Sequence, residues 1–566
     1  MPKTVAIGTQ DFEFIRKNDC FYVDKTDFIR EWWESKDAVT LITRPRRFGK
    51  TLNLNMVECF FSAEYANRQD LFIGLHIWEK EEYRRLQGTY PVISLSLASV
   101  KTNTFANARK QICELLNKLY QKHRFLLQGN VLSQSEKEKY KDINGNMDDT
   151  AACYALYNLS DYLCRYYGRK VIILLDEYDA PLQEAYAGGY WNELIGFTRS
   201  LFNATFKTNP YLERALMTGI TRVSKESVFS DLNNLEVITT TSSSYAGAFG
   251  FTECEVFEAL DQQGLSSEKM RVREWYDGFV FGGQADIYNP WSVTNFIDKK
   301  KIDIYWANTS SNGLISNLIR RGHSDIKLAM EDLLAGNELC VEIDEQIIFE
   351  QLDQNINAIW SLFLASGYLR IVRAPIDAAD PNQNYLLRLT NQEVHVMFQR
   401  MIDGWFKNYT PDYNDFIKAL LHNDIKAMNH YMNKVALATF SFFDSGNRMS
   451  RNTEPERFYH GFVLGLIVDL RDRYVITSNR ESGFGRYDVI LEPRKDTEPD
   501  AIILEFKVYD PGEETDLSET LTAALSQIDQ KEYAADLIAK GMPESRIRKY
   551  GVAFEGKRVL IGQGHD

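Results

Sequence analysis

The sequence predicts an α/β fold built on a parallel sheet that presents a phosphate-binding loop, and three stretches carry that prediction. Val39–Thr43 is an apolar run that leads into Arg44-Pro45-Arg46-Arg47-Phe48-Gly49-Lys50-Thr51 and then a helical stretch, Leu52–Phe61. Val171-Ile172-Ile173-Leu174-Leu175 ends in Asp176-Glu177. Leu212–Gly219 repeats the apolar pattern and ends in a polar tip at Thr218. Unbroken apolar runs of this kind suit parallel strands covered on both faces.

A strand, a tight loop and a helix N-terminus make an anion site, because free backbone N–H groups and the helix dipole point the same way. Within that loop Lys50 is the expected partner of the β- and γ-phosphates, and Thr51 the hydroxyl ligand of Mg²⁺. Gly49 allows close approach of the backbone. Arg46, Arg47, Phe48 and Leu52 complete the expected nucleotide contacts. The loop departs from G-x-x-x-x-G-K-[ST] at Arg44, which stands where the first glycine belongs. Arg44, Arg46 and Arg47 are expected to add positive charge beside the phosphates. Acids at the carboxyl end of a parallel strand lie where ligands bind in open α/β sheets. Asp176 is therefore the expected Mg²⁺ partner and Glu177 the residue that polarises the attacking water. Thr218 and Arg222 are placed to sense the γ-phosphate. A lone Gly-Lys-Thr occurs by chance, and an apolar strand ending in two acids is common. Together, in this order, they point to a nucleoside triphosphatase.

With 566 residues the chain has room for three or four domains. A hydrophobic share of 44% and a charged share of 25% are those of a globular protein, and 33 Phe with 30 Tyr foretell aromatic-rich cores. The net charge of −14 excludes a generally basic nucleic-acid binder, so any such contact must be local. The seven cysteines form no C-x-x-C pair, and the eight histidines no H-E-x-x-H, which excludes the usual zinc signatures. No signal peptide or membrane span is read, so a cytoplasmic setting without membrane partners is expected.

Residues 1–240 read as alternating strand and helix, with Pro91–Leu97 another strand and the polar stretch Ser133–Asp149 an exposed loop. Residues 241–408 read as a helical middle domain with aromatic clusters, Phe249–Thr252, Trp275–Phe279 and Tyr288–Trp291, taken as core packing and turns. Within it Ile359–Ser366, the strands Tyr368–Val372 and Tyr385–Leu389, and a helix capped by Asn391 and running to Phe406 resemble a winged-helix unit. Residues 409–566 form a helical connector and a last domain.

That last domain carries a second constellation. Arg486–Leu491 and Ala501–Lys507 read as two strands around the polar turn Pro493–Asp500. Side chains two apart on a strand share a face, which pairs Glu505 with Lys507, and a hairpin would set Asp488 across from Glu505. Two carboxylates and a lysine suit metal-assisted phosphodiester cleavage, the acids (Asp488, Glu505) holding Mg²⁺ and Lys507 positioning water. Glu456, at the start of the helical stretch Arg457–Arg471, adds a third carboxylate. Gln527, on a helix read as including Tyr533, adds a polar contact to substrate.

Phe21–Thr26, Arg44–Thr51, Asp176-Glu177-Tyr178-Asp179 and Thr218–Thr221 resemble the bacterial AAA-ATPase-like family, whose members carry a C-terminal PD-(D/E)XK nuclease-like domain. Phe458–Phe462, Gly485–Asp488 and Leu504–Lys507 resemble its C-terminal part. The resemblance implies an ASCE-type P-loop core, a restriction-endonuclease-like last domain, and ATP as the nucleotide. The expectation is an ATPase coupled to a Mg²⁺-dependent nuclease that acts on nucleic acid, DNA first, in defence or mobile-DNA handling, with homo-oligomers an open prospect. The alternative is a nucleotide-controlled switch whose last domain binds nucleic acid or protein without cutting.

Overall fold

The computed structural model describes residues 2–564 apart from 223–227, 230–231, 308–314, 316–317, 320–323, 346–351, 353–354, 376–383, 408–409, 440–462, 464–466, 468–469, 471–472, 483–484, 495–499 and 557. Two compact units emerge. One comprises residues 1–315 and 338–397, the other 316–337 and 398–566.

In the first unit, β1 (Val39–Thr43), β2 (Val92–Ser96), β3 (Val171–Asp176), β4 (Leu212–Gly219) and β5 (Leu235–Ile238) form a parallel sheet in the order β2-β3-β4-β1-β5. Every residue of β1 and β3 is buried, which is why both are predominantly apolar. One strand, β4, lies between the loop-bearing β1 and the acid-bearing β3. That order is the expected ASCE arrangement, and it brings the carboxyl ends of three strands to one edge. The core on one face gathers Phe60, Phe61, Phe72, Trp32 and Phe249 around Ile42, Leu174 and Leu216. Ser133–Asp149 is not the loop expected. Ser133 and Glu136 form a reciprocal capping box that starts a helix, Gln134–Asp142.

The stretch read as helical from about 245 to 400 also contains two small antiparallel sheets. One orders β6 (Phe251–Thr252), β7 (Phe279–Phe281) and β8 (Gln284–Tyr288) as β6-β8-β7. Its alternation hides Phe279 and Phe281 on one side, and Phe249, Phe251, Tyr276, Phe279 and Tyr288 of the aromatic clusters are core, while Trp275 and Trp291 are half-buried. The other orders β9 (Leu339–Glu342), β10 (Leu369–Arg373) and β11 (Asn384–Leu389) as β10-β11-β9. The helices Ile356–Ala365 and Gln392–Lys407 flank the β10–β11 hairpin in sequence, and Asn391 Oδ1 accepts from Val394 N at 3.1 Å as a cap should.

In the second unit, β12 (Tyr474–Ser482), β13 (Gly485–Pro493), β14 (Ala501–Val508), β15 (Ile547–Glu555) and β16 (Arg558–Gln563) form a mixed sheet in sequence order. Only β14 and β15 run parallel. Ile502, Leu504 and Phe506 face one core, with Met428 and Met432 of the helix Ile425–Thr439. Ala501 and Ile503 face the other, with Ile528 of the helix Leu517–Gln530.

Candidate functional site

The phosphate loop leaves β1 and turns into the helix Lys50–Phe61 at Gly49, whose φ of 78° is a left-handed conformation that glycine alone adopts at little cost. Arg47 is also left-handed, at φ 65°. Lys50 is buried, and its Nζ donates to the carbonyl oxygens of Arg44 at 2.9 Å and Pro45 at 2.8 Å. Burial lowers the lysine's pKa, against the raising pull of Glu177, Asp176 and Asp179.

Asp176 is the hub. Its Oδ2 accepts from Thr51 Oγ1 at 2.7 Å and its Oδ1 from Thr218 Oγ1 at 2.5 Å. The helix that follows β1 and the end of β4 therefore meet on the carboxylate that ends β3. Thr218 is fully buried and sits behind that carboxylate, and it does not line the cavity where the γ-phosphate was expected to meet it. Its hydroxyl also accepts from Glu177 N at 3.3 Å. Glu177 itself turns at φ 48°. Its pKa is raised, by burial first, with Lys50 offsetting part of the effect. Asp179 Oδ2 accepts from Ile220 N at 3.0 Å, Thr221 N at 2.9 Å, Thr221 Oγ1 at 2.8 Å and Gln183 Nε2 at 3.0 Å, which ties the loop after β3 to the loop after β4.

A cavity of about 340 Å³ opens over this edge, a size that suits a small-molecule ligand. Arg46, Arg47, Phe48, Gly49, Lys50, Thr51, Leu52 and Glu177 all line it, as do the segment 5–10, Phe21, Phe251 and Trp291. Arg222 is half-buried and is not among the lining residues. Sequence reasoning quoted Asp179 only within a motif and Trp291 only within an aromatic cluster, and gave neither of them, nor Gln183, a role in the site. Asp179 stands at the N-cap of the helix Ala180–Gly188 and Gln183 lies in its first turn, in a stretch that reads as an ordinary loop and helix start.

The loop arginines part ways. Arg44, expected beside the phosphates, is fully buried instead. Its Nη1 donates to Thr239 O at 2.6 Å, and its guanidinium lies 4.6 Å from the centroid of Phe281. Burial pushes its pKa down to about 9. Arg47 stacks on Trp291 at 4.4 Å. Arg46 Nη2 donates to Gln183 Oε1 at 3.2 Å. Phe48 turns its ring onto Phe279 and Phe281, with centroids at 4.7 and 5.4 Å.

The expected Mg²⁺ suits this donor set. A threonine hydroxyl and one carboxylate 2.7 Å apart are hard oxygen ligands, too few for a closed protein cage and enough for an ion that keeps waters and takes phosphate oxygens. Among the described residues no group of three or more His, Cys, Asp or Glu gathers as a metal cage.

In the second unit, β13 and β14 do pair as an antiparallel hairpin, and the rung Val489↔Leu504 leaves Asp488 and Glu505 as the next residues along. The Asp488 side chain, and Glu456 altogether, lie outside the described residues. Glu505 is 1% exposed, and Gln527 Nε2 donates to its Oε1. The same amide nitrogen lies 3.0 Å from Tyr533 Oη. The helix carrying Gln527 ends at Gln530, so Tyr533 stands in the turn beyond it and not on the helix as expected. Lys507 is half-buried, two residues along β14 from Glu505.

Comparison with known proteins bears on both domains. Residues 6–229 match the family described as predicted AAA-ATPase, and residues 454–564 match the PD-(D/E)XK nuclease superfamily. The chain thus carries an AAA-ATPase-like domain followed by a C-terminal PD-(D/E)XK nuclease-superfamily domain. It is 26% identical over 578 residues to the uncharacterized protein in the vnfD 5′ region of Azotobacter chroococcum mcd 1, covering 99% of this chain and 98% of that one. Among solved structures, a STAND signal-transduction ATPase with a tetratricopeptide repeat sensor from Pyrococcus horikoshii aligns at TM-score 0.23 and 11% identity. That alignment covers 80% of this chain and 54% of the other, so this chain spans about half that structure's length. Among the described residues no helix is long and apolar enough to cross a membrane.

Proposed function

We propose that this protein binds and hydrolyses ATP in its N-terminal domain and uses that cycle to license Mg²⁺-dependent phosphodiester cleavage by its C-terminal domain, with DNA as the substrate and the handling of foreign or mobile DNA as the setting. The observation that carries the reading is the Asp176 carboxylate, held by the hydroxyls of Thr51 at 2.7 Å and Thr218 at 2.5 Å at the foot of the Lys50 helix. In such a site Lys50 exchanges its carbonyl partners for phosphate oxygens, and the loop N–H groups cradle the rest of the triphosphate. Thr51 and Asp176 would hold Mg²⁺, which supplies charge neutralisation on the phosphates when bound. Glu177 borders the same cavity and takes the proton of the attacking water. Its raised pKa brings it closer to the range in which a general base works near neutrality. In the C-terminal domain, Gln527 fixes the Glu505 carboxylate, and Lys507 on the same strand face supplies positive charge beside it.

Phosphate release and plasmid nicking, each with and without Mg²⁺, test both halves. Lys50→Ala is expected to lose ATP turnover and most nucleotide binding, and Glu505→Gln to lose nicking while keeping ATP turnover. Unchanged turnover in the Lys50 variant removes the ATPase assignment. Equal nicking by wild type and the Glu505 variant removes the nuclease assignment.

A further inference from the structure

The three arginines of the phosphate loop have three different destinations: Arg44 leaves the cavity, while Arg47 and Arg46 both line it with different partners. Arg44 is buried under Thr239 and Phe281. Arg47 is drawn sideways onto Trp291. Arg46 stays at the cavity wall with Lys50, Thr51 and Glu177. Its placement is fixed at both ends. Asn289, fully buried at the N-cap of the helix Pro290–Lys299, donates Nδ2 to Arg46 O at 3.3 Å. At the other end the guanidinium donates to Gln183 Oε1 at 3.2 Å, and Gln183 is itself tied to Asp179, the carboxylate that accepts from Ile220 N and Thr221 N.

We propose that Arg46 is a catalytic residue that acts within its own chain, contacting the γ-phosphoryl group of ATP and neutralising the charge that builds on its oxygens during hydrolysis. The proposal rests on the ATPase reading above. In that step the water oxygen forms a bond to the γ-phosphorus, and its proton passes to Glu177. The bond from the γ-phosphorus to the β,γ-bridging oxygen breaks, and its electron pair leaves with ADP. Arg46 takes no part in bonding and acts by charge and hydrogen bonds, the role of an arginine finger. Charge coupling of Arg46 to both Glu177 and Lys50 places it within electrostatic reach of the water-activating and phosphate-binding groups. A cation from the same loop as Lys50 makes a neighbouring subunit unnecessary for the chemical step.

The experiment compares wild type, Arg46→Ala, Arg46→Lys and Arg85→Ala as full-length chains. Phosphate release is followed across a wide range of protein concentration, and affinity is measured with a fluorescent ATP analogue. Arginine fingers are worth about 10³–10⁵ in kcat, so Arg46→Ala is expected to lose at least about 10³-fold in kcat, with analogue affinity within about tenfold of wild type. Arg46→Lys is expected to restore little, because a point charge lacks the planar fork. Arg85→Ala, at an exposed arginine outside the cavity lining, is expected to keep kcat within about tenfold, and wild-type turnover per chain to be independent of dilution. Analogue binding by the Arg46 variants shows that they are folded. Arg46→Ala that turns over like wild type, a loss confined to KM, or wild-type activity that collapses on dilution overturns the proposal. Wild type that binds the analogue and releases no phosphate overturns the ATPase reading itself, a result distinct from failure at Arg46 alone.

Discussion

Replacing Thr218 by valine removes one hydroxyl and leaves the shape of a fully buried side chain intact. Two bonds go with it, the 2.5 Å donation to Asp176 Oδ1 and the 3.3 Å acceptance from Glu177 N. The first is a bond to a charged group, worth about 1.5–3 kcal/mol. The second is long and adds less. Thr51 keeps its own 2.7 Å bond to the other oxygen, so Asp176 is loosened and not released. If the whole loss falls on the transition state, kcat drops roughly 10- to 100-fold at about 1.4 kcal/mol per decade. Affinity for ATP should change by less than about threefold, since Lys50 and the loop N–H groups are untouched. Steady-state phosphate release, paired with titration of a fluorescent ATP analogue, separates the two quantities. A Thr218→Val protein that binds and hydrolyses as wild type does would show that the carboxylate needs no support from β4, and the hub at Asp176 would be an incidental contact.

Two further outcomes are expected. Glu393 is fully buried and accepts from Tyr305 N and Trp306 N at 2.6 Å each and from Ser292 Oγ at 2.7 Å, yet burial still pushes its pKa up to about 6. A carboxyl that holds its proton longer when folded stabilises the fold fully below about pH 4.5, and that contribution, on the order of 2 kcal/mol, is lost as pH rises through about 6. Unfolding followed between pH 4 and 7 should show the wild type losing this much relative to Glu393→Gln, and parallel profiles would refute the assignment. In the other domain, Gln527→Ala should weaken Mg²⁺-dependent nicking by raising the metal concentration needed, because the amide positions Glu505. A variant that loses nicking without any shift in metal dependence would place Gln527 on substrate instead.

The parallel sheet was legible because each of its first four strands is an apolar run ending at a turn, and Val39–Thr43 and Leu212–Gly219 begin and end where the pattern does. The hairpin at Glu505 was legible from alternation around a polar turn. The sheet of β6, β7 and β8 was not, since its strands are 2, 3 and 5 residues long and glycine, aspartate and asparagine interrupt them. Arginine at position 44 reads as a phosphate ligand by charge alone, and only the path of the loop shows it turning inward. Asp179 stands in a legible motif, but its role, like that of Gln183, carries no local signal. Their meaning lies in backbone N–H groups of Ile220 and Thr221, far along the chain and next to them in space.

The phosphate loop is wedged against its surroundings. A side-chain carbon at Gly367 would lie 2.8 Å from Pro45 and 2.9 Å from Phe279, and one at Gly250 would lie 3.1 Å from Phe48. The loop's outer surface is thus moulded against glycines distant in sequence, and added bulk there pushes on the residues proposed to hold the triphosphate. Such lesions would present in the laboratory as defective nucleotide capture, although the altered positions never meet the ligand.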